Sequence, residues 1–382
     1  MAHLLLLFSL AWVSSLVVPS SSVLCPFLCT CNGDNVVCAG ITSLSGLLFP
    51  ESTRKIHIIG ASLHLIGPSV FGNQTEHVTF QACKIGDIQP LAFSNLHNLK
   101  TLTFQASRID RILPCGIHSI SNAESISFAS SEVKEIKAGG LSDITGVTNL
   151  TISSSYITTV ESFGFHIVQA EVISIEDSSV DLIKTAAFSD VYDVKSLVLS
   201  GISLISIEAG AFYRIRDLKS VQISGFFRGL RHNSLMELRE ATPGDHEGFR
   251  FHTSRVACNC ASAPLLDYVQ QNPTAADRSV ICSVIDRPLR AVKPEKLCPG
   301  YSRETYCTNV TLTPPTCSLA VTNTSSPIIN TSYTERICPT KSKRVVQETS
   351  SEQKNKGVNR GAETFTANGL LLAFLAFSAR TI

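Results

Sequence analysis

The sequence predicts an α/β solenoid: a curved array of coils with one parallel sheet on the concave side and a disulfide-stapled cap at each end. Three observations predict it. An apolar pattern recurs seven times between residues 53 and 218, at intervals of 22–24 residues. Each unit contains a five-residue segment whose second and fourth residues are apolar, the mark of a half-buried strand. Two tight groups of four cysteines flank the array. A single unit of this size cannot bury its apolar face alone, so the units must stack.

The units begin at Thr53, Thr75, Leu99, Ala123, Val147, Ala170 and Val194. The clearest is VKSLVLSGISLISIEAGAFYRIRD, with Val194, Leu197, Leu199, Ile202, Leu204, Ile207, Phe212 and Ile215 at its apolar positions. A period of 20–29 residues with this spacing resembles the leucine-rich repeat. That resemblance implies a scaffold that presents surface and has no built-in reactive cleft.

The strands fall at repeat positions 3–7, reading KIHII, HVTFQ, TLTFQ, SISFA, NLTIS, VISIE and SLVLS, with SVQIS in an eighth, irregular unit. Their outward residues form one polar face. Its central column holds His57, Thr79, Thr103, Ser127, Thr151, Ser174, Val198 and Gln222. The first six are the candidate binding residues of the face. The face carries balanced charges and no aromatic anchors, the usual hot-spot residues of a protein interface. It reads either as a solvated sheet or as a weak, glycan-type binding face. Asn149 and Thr151 alternate on one strand, so a glycan on Asn149 would cover the middle of this face.

The first cysteine group is CPFLCTCNGDNVVC, holding Cys25, Cys29, Cys31 and Cys38; the second opens with CNC and holds Cys258, Cys260, Cys282 and Cys298. Small disulfide modules need little core of their own and suit the open ends of a solenoid. Four cysteines allow three pairings. The two strings resemble the N- and C-terminal caps of extracellular leucine-rich repeat proteins. The resemblance implies the pairs Cys25–Cys31, Cys29–Cys38, Cys258–Cys282 and Cys260–Cys298. It covers residues 25–300.

Repeat position 9, usually Asn in the family, holds Ala61, Cys83, Ser107, Ser131, Ser155, Ser178 and Ile202. Four serines in a row can still satisfy backbone groups, with less reach. A less regular solenoid is expected. Residues 226–245 break the period. Ser234 and Glu237 fit a capping box for a short helix containing Leu235 and Leu238. A repacked last coil is the leading reading of this stretch; a protruding loop near 226–232 would instead offer Phe227, Arg228 and Arg231 as contacts. Cys83 sits at an inward position and reads as a buried free thiol. Cys115 lies on the convex side of the coil, with its pairing left open between free and bonded; Cys307, Cys317 and Cys338 lie beyond the second group. The total of thirteen leaves at least one unpaired within the chain.

The two ends predict an extracellular chain. Residues 1–22 read as a secretory signal, an apolar run followed by small residues and too short to span a bilayer. Residues 23–52 form the first cap, 53–245 the repeats and 246–300 the second cap. Residues 301–366 read as a Ser/Thr/Asn-rich stalk. Residues 367–382 read as a hydrophobic lipid-anchor signal, with Asn359 and Gly361 as candidate attachment residues. Asn73, Asn149, Asn309, Asn323 and Asn330 head glycosylation triplets.

A formal net charge of +1 gives no electrostatic case for nucleic acid. There is no phosphate-binding glycine loop and no metal-ligand spacing outside the cysteine groups. No enzyme, cofactor or metal is expected. The expected function is cell-surface recognition of an extracellular protein or glycan, in adhesion or co-receptor signalling. A signal, caps, repeats, stalk and anchor tail together resemble the variable lymphocyte receptors of jawless fishes, which implies an immune or pattern-recognition role as a second reading. A secreted matrix protein is the third.

Overall fold

The computed structural model describes residues 25–231, 234–235, 238, 241–242, 248–300, 308–315, 317 and 333–337. Every 22–24 residues the chain completes one coil, and coils stack through three parallel ladders rather than one. The first ladder contains Asn35–Ala39, Lys55–Ile59, His77–Gln81, Thr101–Gln105 and Ser125–Ala129. It continues at 149–153, 172–176, 196–200, 221–224 and 249–252. Ile56, Val78, Leu102, Ile126, Leu150, Ile173, Leu197 and Val221 stand in one register.

The second ladder runs through Ser62–Ile66, Lys84–Ile88, Arg108–Ile112, Glu132–Ile136, Tyr156–Val160 and Ser179–Ile183. The third aligns Phe93, Ile117, Leu141, Phe165, Phe188 and Phe212. The molecule is therefore a three-sided parallel β-solenoid of about ten coils, and the expectation of an α/β class is corrected. The sides away from the first ladder carry strands where helices were implied. Their sequences explain this: RIDRI, EVKEI, YITTV and SVDLI are short and rich in β-branched residues, which suit a pleated surface better than a helix. Among the described residues, helix is found chiefly at Ala263–Gln271, after the last rung, and at Leu238, within the short helix expected before it.

Inward residues of all three ladders meet in one core. Position 6 stacks Phe80 on Phe104 on Phe128, with ring centroids 5.1 and 5.0 Å apart. The third ladder stacks Phe165 on Phe188 on Phe212 at 4.6 and 5.1 Å. Parallel in-register strands put like residues at like places, so rings stack along the solenoid in offset pairs worth about 0.5–1.5 kcal/mol beyond their buried area.

Position 9 is a buried serine ladder. The Oγ of Ser107, Ser131, Ser155 and Ser178 accepts the backbone N–H of Cys83, Ser107, Ser131 and Ser155 in the preceding coil, at 3.0–3.1 Å. Each hydroxyl then donates to a carbonyl two residues back, for example Ser131 to Ala129 at 2.9 Å. The short side chain reaches because it hydrogen-bonds at a corner, where the backbone of the preceding coil passes closest. The coils keep their register through this stretch, despite the absence of Asn.

At the N-terminal end, Cys29–Asn32 pairs antiparallel with Asn35–Ala39, the first rung. Bonds join Cys25 to Cys31 and Cys29 to Cys38. At the other end, Leu266 and Val269 of the helix and Val280 and Leu289 join the core. Bonds join Cys258 to Cys282 and Cys260 to Cys298. Cys83 is the one free cysteine among the described residues; it is buried, and burial pushes its thiol up from the ordinary value.

A fifth bond joins Cys115 to Cys317, 202 residues apart, so Cys115 is not free. Part of the segment read as a stalk therefore lies on the solenoid. Thr308–Leu312 pairs antiparallel with Tyr333–Ile337, and Leu312 is buried. Leu312, Pro315 and Cys317 are aperiodic, so no repeat pattern announced this contact. The expected signal (1–22), Cys307, Cys338, Asn323, Asn330, Asn359, Gly361 and the tail 367–382 lie outside the described residues.

Candidate binding face

The first ladder presents its outward residues in three columns, at repeat positions 3, 5 and 7. His57, Thr79, Thr103, Ser127 and Thr151 are half-buried by their neighbours along the column. Ser174 is buried and hydrogen-bonds Thr151 at 3.4 Å, so it is a support for the face and not a contact on it. Strand spacing of about 4.8 Å lets side chains of successive coils bond to one another. His57 Nε2 lies 3.0 Å from Gln81 Oε1, and His77 Nδ1 lies 2.9 Å from Thr101 Oγ1. Ser127 donates to Thr103 at 3.2 Å, and Ser224 to Ser200 at 3.2 Å. The result is a pre-organised polar sheet whose hydroxyls and amides already hold defined orientations.

Charge sits on one rim. Glu76 accepts Arg54 at 3.0 Å and Lys100 at 2.6 Å. The hydrogen bond from Lys100 holds its carboxyl below the usual carboxylate range. Asn149 stands exposed at position 3 of its strand, on the same face, with Thr151 two residues on. Asn73 is exposed on a turn before the second repeat. Asn309 falls within Thr308–Leu312.

Of the two readings of 226–232, the repacked last coil holds, and Phe227 as a contact on a protruding loop is corrected. Val221–Phe227 is a strand that bridges the first and second ladders, paired with 197–204 on one side and Phe249–Val256 on the other. Phe227 is fully buried and packs on Phe251 at 5.7 Å. It fills the inward column that Leu204 occupies one coil earlier, so the coil is repacked and Phe227 is no contact residue. Arg228 and Arg231 are exposed; Arg228 lies over the ring of Phe226. Leu235 and Leu238 are buried against the core, and Glu237 lies outside the described residues.

The second ladder carries a shallow groove of about 460 Å³ lined by Ser62, His64, Lys84, Arg108, Asp110 and Lys134. Its cations are largely compensated: Arg108 lies 3.5 Å from Glu132, and Lys134 lies 2.6 Å from Asp110. The third ladder carries an alternating Ser/His column in which His118 bonds Ser142 at 3.1 Å and His166 bonds Ser189 at 2.8 Å. Burial lowers the His166 pKa against an opposing pull from Asp190, which lies 3.7 Å away. Both Ser189 and Asp190 meet the same nitrogen, Nδ1, and Ser189 is fully buried. These three side chains do not form a nucleophile–base–acid relay, which needs both ring nitrogens. Among the described residues no three His, Cys, Asp or Glu side chains gather as metal ligands, and no helix is long and apolar enough to cross a membrane.

Stacked coils, three continuous ladders and a broad polar face define a repeat solenoid, a class that presents extended surface. The chain belongs to the BspA-type leucine-rich repeat family, whose region matches residues 37–115 and 116–238 in six copies, more than half of the chain. Leucine-rich repeats generally mediate protein–protein interaction. No curated protein matches the chain.

Proposed function

We propose that the chain is an extracellular binding protein, held on the outer membrane leaflet by a C-terminal lipid anchor, that recognises a protein or glycan partner in adhesion or co-receptor signalling. The observation that carries this reading is the N-terminal half of the first face. There His57, Thr79, Thr103 and Ser127 line up over four successive coils beside the Arg54–Glu76–Lys100 rim. Its polar groups are fixed before binding, which lowers the ordering cost that otherwise subtracts from affinity. A partner rich in hydroxyls or amides replaces water on such a surface without leaving buried polar groups unpaired.

Secretion is supported by the apolar N-terminal run, the paired cysteines and the acceptor triplets. A glycan on Asn149 closes the middle of the face and leaves the N-terminal half as the accessible part. The terminal apolar run supports a lipid anchor because ten residues are too few to span the hydrocarbon layer, which needs about 20. The reading is tested by screening the secreted ectodomain, residues 23–366, against an array of cell-surface proteins and glycans. At least one partner is expected whose binding is lost on Thr103→Arg. Partners indifferent to every charge placed on residues 57, 79, 103 and 127 contradict it.

A further inference from the structure

A second, smaller apolar cluster lies apart from the main core. It consists of Phe163, Ala186, Tyr213 and Leu312, with Ala138 packed against it. The first three belong to the solenoid, at and beside the corner between the second and third ladders. Leu312 comes from the segment after the second cysteine group and is only 3 % exposed. The same corner contains Cys115, Gly139, Phe163 and Ala186 one above another. Each donates its N–H to the next in the following coil: Cys115 to Gly139, Gly139 to Phe163 and Phe163 to Ala186, all at 2.7 Å. The column is left-handed throughout, with φ of +60°, +70°, +61° and +54°. Non-glycine residues pay strain in that region.

The segment 308–317 fits this column at three points. Leu312 covers Phe163, Ala186 and Tyr213. Pro315 lies over Gly139 so closely that a Cβ there would stand 2.9 Å from its Cγ. Cys317 bonds Cys115, and its Sγ lies 3.4 Å from Ser142 Oγ. The bond is unlike those at the two ends. The latter close loops of 6, 9, 24 and 38 residues inside compact modules. Cys115–Cys317 ties two pieces of chain that the ladders do not otherwise connect.

We infer that Cys115–Cys317 is a redox clasp that holds residues 308–317 as a strap over the Phe163–Ala186–Tyr213 corner, and that its reduction uncovers this apolar surface while the solenoid stays folded. The reductant is a dithiol of the Cys-x-x-Cys class, or dithiothreitol in vitro. One thiolate of the dithiol attacks Cys317 Sγ; the S–S bond breaks and Cys115 leaves as a thiolate that takes up a proton. The second thiol of the dithiol resolves the mixed disulfide and releases Cys317. The protein gains two electrons and two protons, and the dithiol becomes a disulfide. Nothing in the ladders depends on this bond: the corner N–H groups keep their backbone partners in neighbouring coils. What is lost is the cover over two aromatic side chains, Phe163 and Tyr213, and the methyl of Ala186, an apolar spot of the kind that marks an interaction site when exposed.

The test uses the full secreted chain. Peptide mapping without reduction is expected to return the Cys115 and Cys317 peptides linked; either cysteine found free, or bonded to Cys307 or Cys338, overturns the proposal. The chain is then titrated with dithiothreitol, quenched by alkylation, and followed by amide hydrogen exchange. Exchange at 160–166, 186–190 and 211–215 is expected to rise at least tenfold when Cys115 and Cys317 become alkylated. Segments 78–80 and 102–104 should keep their protection, and Cys38 and Cys282 should stay paired. The double variant Cys115→Ser/Cys317→Ser should show the same pattern without reductant. Leu312→Asp, which keeps both cysteines, should lower the dithiothreitol midpoint several-fold. Corner exchange that is unmoved by reduction, or that rises only together with loss of protection at 78–80, overturns the clasp. If the double variant is not secreted, the titration of the native chain alone decides.

Discussion

Ser131 shows how a small side chain holds one coil to the next. Its Oγ accepts the Ser107 N–H at 3.1 Å and donates to Ala129 O at 2.9 Å, with the whole group buried. Removing the hydroxyl leaves the Ser107 N–H without a partner and away from water. An orphaned buried donor costs about 1–3 kcal/mol, more than the net worth of an ordinary hydrogen bond. Ser131→Ala is expected to destabilise the solenoid by that amount in chemical denaturation. Ser130→Gly, one residue earlier, should be neutral or stabilising, because Ser130 sits at φ +49° where glycine carries no steric penalty. Equal losses from both variants would show that the corner as a whole, and not the hydroxyl, matters.

At the scale of elements, the first ladder was legible from sequence because its strands place apolar residues two apart. In KIHII, TLTFQ and SISFA the second and fourth residues are apolar and buried in the core, which sets the period. The second and third ladders were not legible. Their strands put apolar residues three apart, as in Val133 and Ile136 or Ile157 and Val160. That spacing does not declare a strand, because a corner follows before alternation can repeat. The corners themselves were hidden as well. Ala82, Ala106, Ser130, Ser154 and Asp177 all adopt the left-handed region at φ of about +50°, where glycine is the usual signal. Gly40, Gly60 and Gly201 in the same column hinted at it. Phe227 misled for a related reason: the irregular coil broke the count, and an inward residue read as part of a loop.

The paired cysteines belong to this scale too. Cys38 and Cys282 are fully buried at the two ends of the core, so their bonds fasten the terminal modules to the outermost rungs. Loss of a native bond from a small module costs about 2–5 kcal/mol. Terminal coils of a solenoid have a neighbour on one side only, and so have the least stability in reserve. Cys31→Ser and Cys260→Ser are each expected to reduce secreted yield severely, as read by blotting medium against cell lysate. Undiminished secretion of both variants would mean that the end modules are dispensable.

For the whole molecule, three flat sides give three places to bind, and the account assigns recognition to one. The Asn149 position and the Cys115–Cys317 strap occupy other parts of the surface, the first at the middle of the polar face and the second on a corner. The side proposed for recognition is the N-terminal half of the first ladder. Added glycans distinguish the sides without disturbing the core, since each is placed on an outward residue. His77→Asn completes an acceptor triplet with Val78 and Thr79 on the first ladder. Tyr156→Asn does so with Ile157 and Thr158 on the second, and Ser119→Asn with Ile120 and Ser121 on the third. The decisive measurement is binding of the three glycosylated ectodomains, occupancy verified by mass spectrometry, to a partner found on the array. The account predicts that His77→Asn abolishes binding while Tyr156→Asn and Ser119→Asn bind within about twofold of the native chain. Full binding by His77→Asn, with loss in either of the others, would contradict it.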